Sequence, residues 1–167
     1  CHYNDAASFV AEVLDFDEAV RSGLAFYEAH PNETLVLVTA DHETGDVSFV
    51  DGNRAALLRQ TVSPDECDDT IVKDCVAAQM PFETALPLFT SAFGLDSLTD
   101  VETAYLQEAY RHTLIGDLTG KKSSEEYGVY APITSACADL VAARAGIVCG
   151  SGDHTDPYWY CWEAQID

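Results

Sequence analysis

The run Thr34-Leu35-Val36-Leu37-Val38-Thr39-Ala40 constrains the fold more than any other stretch of this chain. Its aliphatic residues leave no polar face, so a strand with one side in water is disfavoured. The run predicts a central strand buried on both sides, as in a parallel sheet covered by helices. Upstream, Val10, Val13, Leu14, Val20, Leu24 and Tyr27 recur close to a 3.6-residue period, with Glu12 and Asp15 opposite. This pattern predicts one amphipathic helix over residues 5–29. Asn4 or Asp5 can cap its start, and Pro31 prevents its continuation. A helix leading into a buried strand is a building unit of layered sheets. The expected fold class is therefore α/β, a partial three-layer α/β/α sandwich with a mainly parallel sheet.

The stretch from about 54 to 120 reads differently. Pro64, Pro81, Pro87 and Gly94 break it into short helical segments, and Thr99-Asp100-Val101-Glu102 has the capping-box spacing that opens a helix to about Leu114. It is expected to be a helical insertion in a single unit spanning 1–167. Pro132 suits the first turn of a further helix with Ala136, Leu140 and Val141 on its apolar side, and Gly146 suits its end. Val47–Val50, Ile147–Cys149 and Tyr158–Trp162 are short strand candidates. No internal repeat is present.

At 47% hydrophobic residues, the 167-residue chain can bury a real core. With 8 basic and 29 acidic residues its net charge is −21. Such a chain repels nucleic acid and anionic membrane, attracts cations, and needs a metal or a local cation to receive an anionic substrate. No apolar run approaches the roughly 18 residues of a membrane span. The sequence opens at Cys1 and runs straight into a helical pattern, so it is expected to begin in the middle of something larger. None of its six cysteines forms a CxxC pair. Disulfides of an exported protein and buried free thiols both remain open. Asn32-Glu33-Thr34 matches a glycosylation sequon, a common chance tripeptide.

The sharpest chemical feature is Asp41-His42-Glu43-Thr44-Gly45-Asp46, at the carboxyl end of the apolar run. Open sheets place ligands at that edge. One carboxylate and one imidazole side by side suit zinc. Equally, the pair can be a turn closed by an Asx bond with a solvated histidine. His154 lies in the glycine-rich loop Gly150-Ser151-Gly152-Asp153-His154-Thr155, and His2 precedes the first helix; each is a candidate ligand or a polar loop residue. His30, beside Pro31, and His112, near a helix end, read as structural. Glu43, Asp46 and Asp153 read as solvated or supporting carboxylates. Asp65-Glu66 and Asp68-Asp69 read as solvated surface, because the spacing of an EF-hand loop is missing.

Taken together, three blocks in order resemble the alkaline phosphatase family. The segment Thr34 to Gly45 is similar to that family's metal-binding segment. His2-Tyr3-Asn4-Asp5-Ala6 with Val13 to Val20 is similar to the stretch after its Asp-x-x-x-His motif. Glu126 to Tyr130, Ala145-Gly146-Ile147 and Ser151 to Thr155 resemble the approach to its last zinc histidine. The resemblance is strongest over residues 2–50 and weakest over 52–97.

The resemblance implies a phosphomonoesterase with two Zn2+ and one Mg2+. His2 and His154 would then bind one zinc and Asp41 and His42 the other, with Glu43 and Thr155 orienting these ligands. A serine nucleophile and a metal-activated water would divide the hydrolysis into two displacements. That serine, the phosphate-binding arginine and most magnesium ligands precede this segment in the family, so no catalytic nucleophile is assigned in this chain, and the 167 residues alone are expected to be inactive. The implied surroundings are a phosphomonoester substrate, no nucleic acid and no membrane, a homodimer of the full-length protein, and a periplasmic or extracellular location. Two other outcomes stand beside this one. They are another phosphotransferase or phosphodiesterase of the same superfamily, and a non-catalytic metal-binding remnant.

Overall fold

A computed structural model describes residues 6–40, 47–116 and 130–149. The elements run α1 (Ala6–Ala29), β1 (Val47–Phe49), a 3-10 helix (Arg54–Arg59), α2 (Pro64–Cys67), a π-helical turn (Asp68–Val72), α3 (Lys73–Ala78), α4 (Phe82–Phe93), α5 (Asp100–Leu114), α6 (Pro132–Ala145) and β2 (Ile147–Cys149). Among the described residues the sheet consists of β1 and β2 alone, paired antiparallel with Val47 opposite Cys149, Ser48 opposite Val148 and Phe49 opposite Ile147.

This corrects the expected α/β/α sandwich with a parallel sheet. The apolar run at 34–40 takes up no helical or strand structure. Among the described residues its backbone makes no ladder bond. Leu35 is 80% exposed, Leu37 79% and Val38 57%. The physical reason is that a parallel strand needs neighbours brought in by crossover connections. Among the described residues none is supplied, so apolar burial falls to helix-on-helix contacts instead.

The core forms where α2 to α6 meet. Phe89 and Phe93 of α4, Leu106 and Tyr110 of α5, and Ile133, Ala136 and Val141 of α6 are buried together. Tyr110 is held on three sides. Its hydroxyl donates to the Met80 carbonyl at 2.8 Å, and its ring lies 5.9 Å from that of Phe82 and 6.0 Å from that of Phe89. Burying a polar tip with its bond made avoids the cost of an orphaned hydroxyl.

Helix ends follow the local code. Thr99 caps α5, with its hydroxyl accepting from the Glu102 amide and Glu102 accepting from the Thr99 amide at 2.7 Å. Gly146 ends α6 with φ +70°, and a Cβ there would meet the Val50 carbonyl oxygen at 2.6 Å. Only glycine combines that left-handed turn with so close an approach. The turn lets the Val50 amide donate to the Gly146 carbonyl at 2.8 Å, which feeds β2 onto β1.

The start of α6 is tied down over long distances. The Ala131 amide donates to Asp68 at 2.8 Å, and the Thr134 hydroxyl donates to the same carboxylate. The Ile133 amide donates to the Thr113 hydroxyl at 3.0 Å. Free amides of a helix start need such acceptors, and a carboxylate also suits the positive end of the helix dipole. Asp68, expected to be solvated, is half-buried, whereas its neighbours Asp65, Glu66 and Asp69 are exposed.

Cys67, Cys75 and Cys137 are buried free thiols. They therefore give no support to an exported location. No described helix is long and apolar enough to cross a membrane.

Candidate functional site

All six residues assigned to the metal site from sequence, His2, Asp41, His42, Glu43, His154 and Thr155, lie outside the described residues. What the structure defines is the frame that leads to them. The extended segment 34–40 runs to the residue before Asp41. β1 begins at Val47, directly after Asp46, and β2 ends at Cys149, directly before Gly150. The β1–β2 register sets Val47 opposite Cys149. Paired Cα atoms in an antiparallel ladder lie about 4.5–5.5 Å apart. Val47, which follows the 41–46 stretch, and Cys149, which precedes the 150–155 stretch, are thus paired although more than 100 residues separate them in sequence.

Among the described residues no group of three or more His, Cys, Asp or Glu side chains is placed to hold a metal ion. The two described histidines have local partners. His30 follows α1 with its ring 4.7 Å from that of Phe26, and His112 Nε2 lies 3.1 Å from Glu108 on α5. Arg111 bonds the same Glu108 at 2.7 Å, and this guanidinium holds the exposed carboxyl down at about 2.

The described cations that gather in one place are Arg59 and Arg144, beside a cavity of about 230 Å³ lined also by Asn53, Phe93, Leu95 and Asp96. Arg59 pairs with Asp96 at 2.8 Å. Arg144 pairs with Glu102 at 3.1 Å and donates to the Asp96 carbonyl at 2.7 Å. Burial alone would push the Glu102 carboxyl up, but bonds from the Thr99 amide and hydroxyl and from Arg144 outweigh it and hold it below its ordinary value. Each guanidinium is matched by a carboxylate, so the cluster is electrically balanced. It braces α5 against α6 and leaves little charge to attract a phosphate.

Two comparisons with known proteins return matches. The family model described as alkaline phosphatase matches residues 1–73. The repressible alkaline phosphatase of Saccharomyces cerevisiae is 54% identical over 44 residues, which are 26% of this chain and 8% of that protein. No solved structure matches. Through its first 73 residues the chain is similar to the alkaline phosphatase family. The matched stretch contains α1, the segment 34–40, the Asp41-His42 pair and β1. The downstream blocks at 126–130 and 145–155 lie beyond the family match. Because the aligned stretch spans only 8% of the relative's length, the activity of a whole alkaline phosphatase does not transfer to this chain as a finding.

Proposed function

We propose that this chain is the C-terminal part of an alkaline phosphatase domain and carries zinc ligands of a phosphomonoester hydrolase. The observation that carries the reading is the β1–β2 register, which sets the flank of the Asp41-His42 stretch beside the flank of the His154 stretch. In this reading His2 and His154 serve one Zn2+, Asp41 and His42 serve a second, and Glu43 and Thr155 orient these donors. Neutral imidazole with carboxylate is the donor chemistry zinc prefers. When bound, a pair of such ions supplies Lewis acidity and a nucleophile at neutral pH. A net charge of −21 favours cation uptake and makes that uptake a condition for an anionic phosphomonoester to approach.

In this reading the serine nucleophile and most Mg2+ ligands are supplied by sequence other than these 167 residues. Ser22 donates to the Glu18 carbonyl inside α1 at 3.2 Å, and neither Ser8 nor Ser48 sits in a nucleophile motif. The chain alone is therefore inactive in this reading, and the complete protein acts outside the cytoplasm as a homodimer.

Zinc titration of the purified chain by calorimetry tests the ligand set. Binding that falls at least tenfold in both His42→Ala and His154→Ala supports it, with the fold checked by circular dichroism. Zinc binding unchanged in His154→Ala overturns the shared site. Measurable p-nitrophenyl phosphate hydrolysis by the chain alone would overturn the assignment of the nucleophile elsewhere.

A further inference from the structure

Of the three asparagines in the chain, Asn32 alone opens a glycosylation sequon, Asn32-Glu33-Thr34. The tripeptide by itself carries little weight, and its setting in the fold decides what it can do. A chance match falls as readily inside a helix or in a core. This one falls on a turn. α1 ends at Ala29, and the Glu33 amide donates to the His30 carbonyl at 3.2 Å, which closes a turn over residues 30–33. Pro31 takes the second position, where its fixed φ suits the bend, and Asn32 takes the third, as one of the residue types that turns favour.

The surroundings fit an N-linked sugar. His30, Pro31, Asn32 and Glu33 are all exposed, so a bulky group on Asn32 displaces no packing. Among the described residues neither the Asn32 amide nor the Thr34 hydroxyl has a hydrogen-bond partner, so modification breaks no bond. The exposed rings of Phe26 and His30 lie 4.7 Å apart at the same end of α1. Aromatic faces attract the polarised C–H groups of a pyranose ring, so a sugar on this turn finds an apolar surface beside it.

We propose that Asn32 is a modification site, which accepts an N-linked oligosaccharide when the chain enters the lumen of a secretory compartment. The co-reactant is a lipid-linked oligosaccharide pyrophosphate. The Asn32 side-chain nitrogen bonds to the anomeric carbon of the first sugar and gives up one hydrogen as a proton. The bond from that carbon to the pyrophosphate oxygen breaks, and its electron pair leaves with the lipid pyrophosphate. Thr34 supplies the hydroxyl that the sequon requires. Its half-burial in the fold is no obstacle, because transfer acts on the chain before it folds. The exposure of Asn32 matters afterwards, when the fold has to house the sugar. The inference rests on the extracytoplasmic location in the proposed function, and not on metal binding or catalysis.

The test translates the 167-residue chain behind a cleavable leader in the presence of endoplasmic-reticulum microsomes. The expected product is protected from added protease, runs slower in gels than the bare chain, and returns to the bare position after peptide N-glycosidase. Mass spectra should place the sugar on the peptide that contains Asn32. Asn32→Gln and Thr34→Ala should abolish the shift, and Thr34→Ser should keep it. Protease-protected chain without the sugar, or a shift that survives Asn32→Gln, overturns the proposal. In glycosylated chain secreted from insect cells, the glycosidase should leave the far-UV circular dichroism unchanged; a changed helix content means that the turn does not house the sugar and overturns it too. Fractionation of the parent protein's own cells tests the location separately. A chain glycosylated in microsomes whose parent stays in the cytosol supports the acceptor site and counts against the extracytoplasmic location instead.

Discussion

Replacing Asp68 by Ala should destabilise the helical core by about 2–4 kcal/mol. Its carboxylate accepts from the Ala131 amide at 2.8 Å and from the Thr134 hydroxyl. Hydrogen bonds to charged groups contribute roughly 1.5–3 kcal/mol, and a buried donor left without its acceptor adds its desolvation cost. Thr134 is fully buried, and its hydroxyl otherwise reaches the Cys67 sulfur at 3.5 Å, a weak acceptor. An anion at the start of α6 contributes a further 0.3–1 kcal/mol or so through the helix dipole. For a chain of this size the loss corresponds to a fall in melting temperature of about 4–16 °C. Urea unfolding followed by far-UV circular dichroism measures it. A cycle with Thr134→Val should show coupling of at least about 0.5 kcal/mol, because both residues belong to one contact. A loss below about 0.5 kcal/mol, or strict additivity with Thr134→Val, would refute the claim that this carboxylate anchors α6.

Gly146→Ala should cost at least about 1–2 kcal/mol in thermal melts for the left-handed backbone, plus the displacement of the Val50 carbonyl 2.6 Å from the new methyl group; a neutral substitution would show that β2 does not depend on this turn. Glu102 has its carboxyl lowered in the fold, so the unfolded chain binds more protons on acidification. Its contribution is complete above about 4.5, the ordinary value, and is lost as pH falls through the lowered one. Glu102→Gln should therefore flatten the fall in stability below that pH, and an unchanged slope would refute the assignment. Burial pushes the Cys67 thiol up to about 12 and raises Cys75 and Cys137 as well. All three should resist iodoacetamide at pH 8 in the folded chain and label on unfolding, read peptide by peptide in mass spectra; rapid native labelling of Cys67 would contradict its burial.

Much of the local structure was legible from residues alone. The 3.6-residue apolar spacing before Pro31 marked α1, the Thr99–Glu102 pair marked the start of α5, and Pro132 with Gly146 bracketed α6. Each of these signals acts within one or two turns of the chain, where helix periodicity, capping and glycine conformation are decided by neighbours in sequence. The three sequence blocks, taken in order, also indicated the family that residues 1–73 match.

The parallel sheet was the mistaken expectation, and its failure has a definite cause. The run Leu35 to Val38 specifies a segment that can become a strand, but a strand exists only through backbone partners outside itself. Sequence periodicity carries no information on whether those partners are present. The same limit hid the role of Asp68. Its sequence neighbours make it one of a solvated acidic cluster, and only the packing of α2 against α6 brings it to Ala131 and Thr134, more than 60 residues away. The β1–β2 register is of this kind too, since it pairs residues 47 and 149 across the whole helical core. Composition and local pattern determined which residues turn into helices. Tertiary structure decided which of them meet, because hydrogen bonds and apolar burial reward contacts regardless of how far apart the partners lie along the chain.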